Sequence, residues 1–308
     1  MNCLISSEKE LVEVDVLLAT FNGELYLAEQ LNSLLNQVGV VINLLVSDDG
    51  STDSTMDILS HFRDKFFTFK IFKGPGIGPA ENFMYLLSKS SSKFAAFCDQ
   101  DDIWNSEHLI SSVEKLGINE SNRRLTFSSM IPFSESETTF QPWPKKGFTP
   151  SIHKFIAENH ARGCTIVMNR AAIDLVLSKN STRMIMHDWW CVLVVLTCGE
   201  VFFFNQPQIR YRIHDKNFTK KTGRNLHLKI RFLITRRWEP RSQLLELFHL
   251  HRDDMNRHDQ VYIENILKYF EGNLFTRICR LTFSRSRFRS KFKDEISLRI
   301  GFLFRMNS

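Results

Sequence analysis

Short apolar runs alternate with segments of helical periodicity through the first third of the sequence. The runs at 14–19, 41–46, 66–72 and 94–98 have the length of buried strands. Between the first two runs, apolar residues recur at helical spacing: Leu27, Leu31, Leu34 and Leu35. Strands that alternate with helices of about 10–15 residues predict an α/β fold, with a mostly parallel, Rossmann-like sheet flanked by helices.

The pattern loosens after a predicted helix at 106–116. The region 128–150 is rich in Ser, Thr, Pro and Glu, which predicts a long surface connection. Structure resumes with a predicted strand at 163–168, and then a helix at 169–177, a helix at 187–198 and a strand at 201–204. From about Phe218 the chain becomes basic and helical, so we expect a C-terminal helical extension.

Composition and cysteine usage indicate a reduced, globular protein. The hydrophobic fraction of 43% and charged fraction of 24% in 308 residues are typical of soluble domains and exclude disorder over most of the chain. The six cysteines form no CxxC pair, as expected of buried thiols in the cytoplasm. No secretory signal is predicted at the N-terminus, and the longest apolar stretch, 189–198, is too short to span a bilayer.

The net charge of +6 conceals an asymmetry between the two parts of the chain. Residues 1–205 contain 17 Lys and Arg against 24 Asp and Glu, whereas residues 206–308 contain 23 against 10. The segment 277–305 holds nine of these basic residues with aromatic and aliphatic residues between them. Such a segment suits an anionic membrane surface. Charge alone equally suits nucleic acid, or a solvated helix pair packed on the main domain.

Acidic residues gather where predicted elements begin or end. Asp48 and Asp49 follow the second strand, Asp99, Asp101 and Asp102 follow the fourth, and Asp188 stands at a helix start. Each cluster alone is equally typical of a turn or a helix cap. The carboxyl ends of neighbouring parallel strands face one crevice, however, so we expect the first two clusters to share a ligand. A divalent cation bridging to substrate phosphates is the natural partner for such carboxylates.

Three segments resemble, in order and spacing, the successive signatures of family 2 glycosyltransferases, which are inverting enzymes with the GT-A fold. These segments are 16–23 (Val-Leu-Leu-Ala-Thr-Phe-Asn-Gly), 47–53 (Ser-Asp-Asp-Gly-Ser-Thr-Asp) and 99–104 (Asp-Gln-Asp-Asp-Ile-Trp). Farther on, 163–165, 187–190 and 211–217 resemble a bacterial rhamnosyltransferase-like subgroup. Ile213 and the residues after Asn217 depart from the pattern of that subgroup, which affects the loop over the site.

The resemblance implies roles for individual residues. Thr20, Asn22 and Asp49 would line the nucleotide pocket, Asp99 and Asp101 would hold Mg²⁺ or Mn²⁺ and the donor diphosphate, and Asp188 would be the catalytic base. Arg212 and His214 would approach the departing diphosphate, and Asp102 would support the loop or cap its exit. For Trp189 and Trp190, both a core position and a sugar platform are open, with the core favoured for at least one.

The resemblance also implies the organisation and activity of the protein. We expect a GT-A-like catalytic domain over 12–215 and a basic, mainly helical extension over 216–308. The expected reaction is metal-dependent transfer of a sugar, with L-rhamnose as one candidate, from a nucleotide diphosphate donor to a lipid-linked saccharide acceptor in surface polysaccharide (O-antigen or capsule) assembly. The enzyme would be peripheral on the inner face of the plasma membrane. A non-catalytic nucleotide-sugar-binding protein of the same fold, and a nucleic-acid-binding protein that uses the basic segment, are the alternatives. No nucleic-acid motif supports the second.

Overall fold

The computed structural model describes residues 11–117, 121–134, 140–156, 158–214 and 239–268. Within this part of the chain, eight strands form one sheet in the spatial order β3-β2-β1-β4-β7-β6-β8-β5. The strands are β1 (Val12–Thr20), β2 (Val40–Asp48), β3 (Thr68–Lys73), β4 (Phe94–Asp99), β5 (Ile103–Trp104), β6 (Arg124–Phe133), β7 (Ile166–Asn169) and β8 (Glu200–Arg212).

Nine α-helices accompany the sheet in the described ranges. They are α1 (Leu27–Leu35), α2 (Thr55–Phe62), α3 (Pro79–Lys89), α4 (His108–Leu116), α5 (Ile152–Phe155), α6 (Arg170–Leu177), α7 (His187–Cys198), α8 (Glu239–His251) and α9 (Arg257–Lys268). Short 3₁₀ turns lie at Arg63–Lys65, Gly163–Thr165 and Arg252–Asp254. None of the helices in these ranges has both the length and the apolar character that crossing a membrane requires.

The sheet is mostly parallel, as predicted. Strands β1, β2, β3 and β4 are parallel neighbours, and β6 and β8 are also parallel, whereas β7 and β5 run antiparallel to their neighbours. Alternate residues of β1 enter separate apolar clusters, since Val16 and Leu18 pack in one and Leu17 in the other. Both faces of the sheet are therefore covered, which explains why the strands are continuous apolar runs.

The main difference from the sequence prediction concerns 128–150. Part of that predicted surface connection is strand, because β6 continues to Phe133 beside β8. Ser128 and Ser129 are buried in it, and the hydroxyl of Ser129 donates to the carbonyl of Pro144 (2.9 Å). Small polar residues such as these serines can occupy a buried strand, so polar composition alone does not predict exposure here. Strand β8 is likewise much longer than the predicted 201–204.

Helices α8 and α9 pack on the same core as the sheet. Leu244, Leu247 and Ile263 are buried in the apolar cluster that contains Trp190 and Leu193 of α7. The predicted domain boundary at 215/216 and the basic segment 277–305 lie outside the described residues. Within 239–268, the helices are an integral layer of the same fold.

The first of these two helices also supports the loop that precedes α7. The carboxylate of Glu246 accepts hydrogen bonds from the hydroxyl of Ser181, from the N–H (3.0 Å) and hydroxyl (2.9 Å) of Thr182, and from the N–H of Arg183 (2.8 Å). The side-chain oxygen of Gln243 accepts from the N–H of Ile185 (2.8 Å). Although burial opposes ionisation, these donors hold the pKa of Glu246 below its usual range. Helix α8 therefore fixes the chain just before α7.

Replacing Glu246 with Ala should lower the free energy of unfolding by ~1–3 kcal/mol, because several donors lose a charged acceptor. Chemical denaturation at pH 7 measures the loss. The matched control is Glu264→Ala on α9, where the carboxylate only pairs with Lys268 at the surface (3.3 Å). Equal stability of the two variants would contradict the role given to Glu246.

Candidate active site

The loops that follow β1 and β2 are joined by side-chain hydrogen bonds. The hydroxyl of Thr20 donates to Oδ1 of Asp48 (2.8 Å), and Oδ2 of Asp48 accepts from the N–H groups of Gly50 (3.0 Å) and Ser51 (2.8 Å). Asp48 therefore holds the turn after β2. This arrangement leaves its neighbour, Asp49, as the carboxylate of this pair that can meet a ligand.

Asn22 connects the same two loops from the other side. It adopts a left-handed backbone conformation (φ 50°), which Asn tolerates better than most residues. Its side-chain oxygen accepts from the N–H of Thr52 (2.9 Å), and its own N–H donates to the hydroxyl of Ser51 (2.9 Å). Thr20 and Asn22 thus shape the pocket through the loops, and their direct contact with a nucleotide remains a prediction.

A glycine-rich loop orients Asp49. The N–H of Gly76 donates to Oδ1 of Asp49 (3.0 Å), and the N–H of Gly74 donates to the carbonyl of Asp48 (2.8 Å). A Cβ atom on Gly74 would lie 2.1 Å from Oδ1 of Asp49 and 2.9 Å from the carbonyl oxygen of Asp48. Only glycine fits at 74 without displacing Asp49, so this loop contributes to the site through geometry.

The acidic loop after β4 is held against the end of β8. Strand β5 pairs with β8, which brings Arg212 and His214 to this loop. The backbone N–H of Arg212 donates to Oδ1 of Asp102 (3.0 Å), and its side-chain Nε donates to the carbonyl of Asp101 (2.9 Å). Nε2 of His214 lies 2.7 Å from Oδ2 of Asp101. Asp102 is completely buried and supports the loop, as expected from the sequence.

The side chain of Arg212 is held in place by contacts within the protein. Its guanidinium pairs with Glu29 and lies over the rings of Tyr26 (4.4 Å) and Phe133 (4.5 Å). The side chain is almost fully buried. In this structure Arg212 therefore positions the acidic loop, and its approach to a diphosphate remains a prediction. His214 lies closer to the predicted metal carboxylates.

Asp188 lies in the first turn of α7 and is buried. The residue before the helix is Met186, so the interpretation of Asp188 as an N-cap is wrong. Its Oδ1 accepts from the N–H of Trp189 (2.6 Å). Burial raises the pKa of Asp188, while the charge of Arg162 and hydrogen bonds from Trp189, Asn159 and Gly163 oppose that rise. A buried carboxylate with a raised pKa and fixed geometry is suited to accept a proton.

Both tryptophans that follow Asp188 belong to the core. Trp189 and Trp190 are buried, and the indole N–H of Trp189 donates to the carbonyl of Phe155 (2.6 Å). The sugar-platform interpretation is therefore wrong for both. Their packing instead fixes the beginning of α7 and, with it, Asp188.

Like charges converge on Asp99. Burial, followed by the charges of Asp101 and Asp188, raises the pKa of Asp99 to about 7, while the Arg162 charge and the Cys164 thiol oppose the rise. In the sheet, Asp99 pairs with Ala19 of β1. The next residue of β1, Thr20, pairs with Asp48 of β2. The acidic clusters after β2 and β4 therefore flank the end of one strand, and Asp188 approaches from α7.

This carboxylate cluster fits a divalent cation. One ligand atom each from Asp99, Asp102 and Cys164 lie within 4.8 Å of one another. Among the described residues, the predicted metal ligand Asp101 is not part of this group, although its charge acts on Asp99. Burial and the nearby carboxylates raise the pKa of the Cys164 thiol well above its usual range, and the thiol hydrogen-bonds to the carboxylates of Asp99 and Asp102. The remaining oxygens are the hard donors that Mg²⁺ and Mn²⁺ prefer.

Two residues of this cluster were missed from the sequence. Cys164 lies in the segment 163–165, which resembles the rhamnosyltransferase-like subgroup, but the resemblance implies no role for this cysteine. Arg162, which acts on Asp99 and Asp188, immediately precedes that segment. Nothing in the local sequence distinguishes Arg162 from a surface arginine, because its neighbours come from distant parts of the chain.

Comparison with known proteins gives a consistent result. The family model described as glycosyl transferase family 2 matches residues 15–174. A dTDP-rhamnosyl transferase, RfbG, from Shigella flexneri is 25% identical over 277 residues, which cover 81% of this chain and 91% of that protein. A putative teichuronic acid biosynthesis glycosyltransferase, TuaG, from Bacillus subtilis is 27% identical over 104 residues, or 33% of this chain and 40% of that protein.

Solved structures share the GT-A architecture. One is TarS 1–349 of S. aureus in complex with UDP-GlcNAc. The match has a TM-score of 0.58 at 16% sequence identity, and it covers 95% of this chain and 82% of the TarS chain. A mannosyltransferase, PcManGT, from Pyrobaculum calidifontis in complex with GDP-Man and Mn²⁺ has a TM-score of 0.52 at 12% identity and covers 92% and 77%. The predicted fold class is thereby confirmed.

Without divalent cations, Asp99→Asn should stabilise the protein at pH 8 by about 1–3 kcal/mol, because it removes a charge that the folded state disfavours. The pKa of Asp99 is raised in the folded state, to about 7, so its favourable contribution exists at acid pH and is lost as pH rises from about 4 to about 7. The advantage of the variant should shrink correspondingly at low pH. Thermal unfolding across pH measures it.

Asp57→Asn in the first turn of α2 is the control; this exposed carboxylate favours the helix N-terminus, so its removal should destabilise the protein slightly, by about 0.3–1 kcal/mol, which is the opposite sign to Asp99→Asn. Adding MnCl₂ should stabilise the wild type more than Asp99→Asn. A wild type that is as stable as Asp99→Asn at pH 8 would show that the carboxylate cluster is not electrostatically strained.

Proposed function

Because the chain belongs to glycosyl transferase family 2, we propose that it is an inverting, divalent-cation-dependent glycosyltransferase of bacterial surface polysaccharide synthesis. It moves a sugar from a nucleoside diphosphate donor to a saccharide acceptor. The observation that carries this proposal is the meeting of Asp99 and Asp101 with Asp188 at one end of the sheet. A transfer site needs charge neutralisation for the leaving diphosphate and a base for the acceptor, and these residues can supply both.

The proposed donor is dTDP-L-rhamnose. The dTDP-rhamnosyl transferase of Shigella flexneri supports this choice, since it is similar over most of both chains. Asp49 also suits a pyrimidine nucleotide, because its carboxylate can accept a hydrogen bond from a base N–H, and the Gly74 loop orients it. The acceptor is proposed to be lipid-linked, as the resemblance implies. The basic segment that would meet the membrane lies outside the described residues.

Each group in the site has a part in the proposed reaction. The acceptor oxygen attacks the anomeric carbon as the bond from that carbon to the phosphate oxygen breaks, and the nucleoside diphosphate leaves. Asp188 takes the proton of the acceptor hydroxyl, for which its buried carboxylate with a raised pKa is suited. Asp99 and Asp101 would hold Mg²⁺ or Mn²⁺, as the Mn²⁺ of the archaeal mannosyltransferase also suggests. When bound, the cation would offset the charge that develops on the diphosphate.

Supporting residues keep this arrangement rigid. His214 lies beside Asp101, and Arg212 holds the backbone of the acidic loop. Helix α7 fixes Asp188 through the N–H of Trp189. Because one base and one in-line displacement suffice for inversion, no second nucleophilic carboxylate is required.

Asp188→Asn should reduce transfer by roughly 10²–10⁴-fold, because the acceptor hydroxyl loses its proton acceptor. Transfer is measured by release of nucleoside diphosphate with an acceptor extract, and donor binding by calorimetry should be retained. Asp174→Asn on α6 is the control, since this exposed carboxylate only pairs weakly with Arg170 (3.5 Å). Near-normal turnover of folded Asp188→Asn would remove Asp188 from the role of base.

Chelation of divalent cations with EDTA should abolish binding of the nucleotide sugar, and MnCl₂ should restore it. Asp101→Asn should weaken cation-dependent binding at least tenfold, because a carboxylate that would hold the cation is lost. Calorimetric titration with a panel of dTDP-, UDP- and GDP-sugars tests both. Asp64→Asn, at the surface after α2, should bind as the wild type does. Undiminished binding in EDTA would refute the metal assignment.

A further inference from the structure

The segment that begins at Arg162 runs from the proposed base to the metal-binding carboxylates. A Cβ atom on Gly163 would lie 3.9 Å from Cβ of Asp188, and the Cys164 sulfur lies within 4.8 Å of a carboxylate oxygen of Asp99. The carbonyl of Arg162 accepts from the N–H (2.9 Å) and hydroxyl (2.8 Å) of Thr165. The backbone of Arg162 is therefore fixed at the junction between the two halves of the site.

The side chain of Arg162 is supported by an aromatic ring. Its Cζ lies 5.1 Å from the ring centroid of Trp143, whose backbone is held by two hydrogen bonds to Met130 (2.9 Å each). Nε of Arg162 is buried and finds no hydrogen-bond acceptor among the described residues. A guanidinium that stacks on a ring while a buried Nε–H lacks an acceptor is prepared to bind a ligand.

Arg162 stands next to residues that contact both halves of the site. Gly163 lies beside Asp188, and the Cys164 sulfur lies beside a carboxylate oxygen of Asp99. In the proposed reaction, Asp99 serves the diphosphate and Asp188 serves the acceptor. The group that must lie between them is the sugar being transferred.

We propose that Arg162 is a donor-specificity residue whose guanidinium donates hydrogen bonds to hydroxyl groups of the transferred sugar. This inference rests on the proposed function. The planar fork of an arginine can bind two neighbouring hydroxyls at once, and Trp143 would hold the fork in one orientation. Arg162 would thus orient the anomeric carbon toward the acceptor, while the nucleotide is bound independently by the loops after β1, β2 and β3.

The test compares a nucleotide sugar with its free nucleoside diphosphate. Affinities for dTDP-L-rhamnose and for dTDP are measured by calorimetry with MnCl₂, using wild type, Arg162→Met and Arg162→Lys. Arg162→Met keeps an apolar stem against Trp143 and should fold. It should weaken binding of dTDP-L-rhamnose by about 10- to 100-fold and leave dTDP unchanged. Arg162→Lys keeps the charge but not the fork, so it should recover only part of the loss.

The matched control is Arg252→Met. Arg252 also lies over an aromatic ring, at 5.4 Å from that of Phe248, but outside the site. The Arg252→Met variant should bind dTDP-L-rhamnose and dTDP as the wild type does. Slow hydrolysis of the nucleotide sugar, which needs no acceptor, should fall in Arg162→Met and stay normal in Arg252→Met.

Other outcomes overturn the inference. An equal loss for dTDP would assign Arg162 to the diphosphate. Unchanged binding of both ligands with a raised KM for the acceptor would assign it to the acceptor. If dTDP-L-rhamnose does not bind the wild type, the comparison is made with UDP-GlcNAc and UDP, or with GDP-mannose and GDP. Failure of the wild type to bind any of these nucleotide sugars contradicts the proposed function itself.

Discussion

Carboxylates are buried together at the carboxyl end of the sheet, and their desolvation and mutual repulsion are the constraint on which the site depends. Burial, followed by the charges of Asp101 and Asp188, raises the pKa of Asp99 to about 7. The fold opposes this repulsion with fixed dipoles and charges: the N–H of Arg212 on Asp102, His214 beside Asp101, and the first turn of α7 on Asp188. The cluster is thus tolerated while its charge stays available to the proposed cation.

The supports of this cluster come from distant parts of the chain, which limits what the sequence alone reveals. The apolar runs of β1, β2 and β4 need no partner to be recognised, because strands buried on both faces are apolar throughout. The acidic residues that follow them stand at predictable strand ends. Together they locate one edge of the sheet as the site, and the family resemblance adds Asp188.

Arg162 and the role of Arg212 could not be found this way. Arg162 lies over Trp143, and Arg212 lies over Tyr26 and Phe133. These tertiary contacts leave no pattern in the local sequence. The hidden strand at 128–133 was missed for a related reason. Its serines are buried because the strand pairs with β8, and the hydroxyl of Ser129 also donates to the carbonyl of Pro144. The polar character of these serines therefore does not indicate exposure to solvent.

The contacts of α8 impose an order on the biogenesis of the enzyme. The loop before Asp188 donates five hydrogen bonds to Gln243 and Glu246, which lie 58–65 residues later in the chain. Folding during synthesis proceeds from the N-terminus, so the sheet and all its acidic residues emerge from the ribosome before this support exists. A nascent chain that ends after β8 already carries every carboxylate of the site. It still lacks α8, the helix that holds the loop before Asp188 in place.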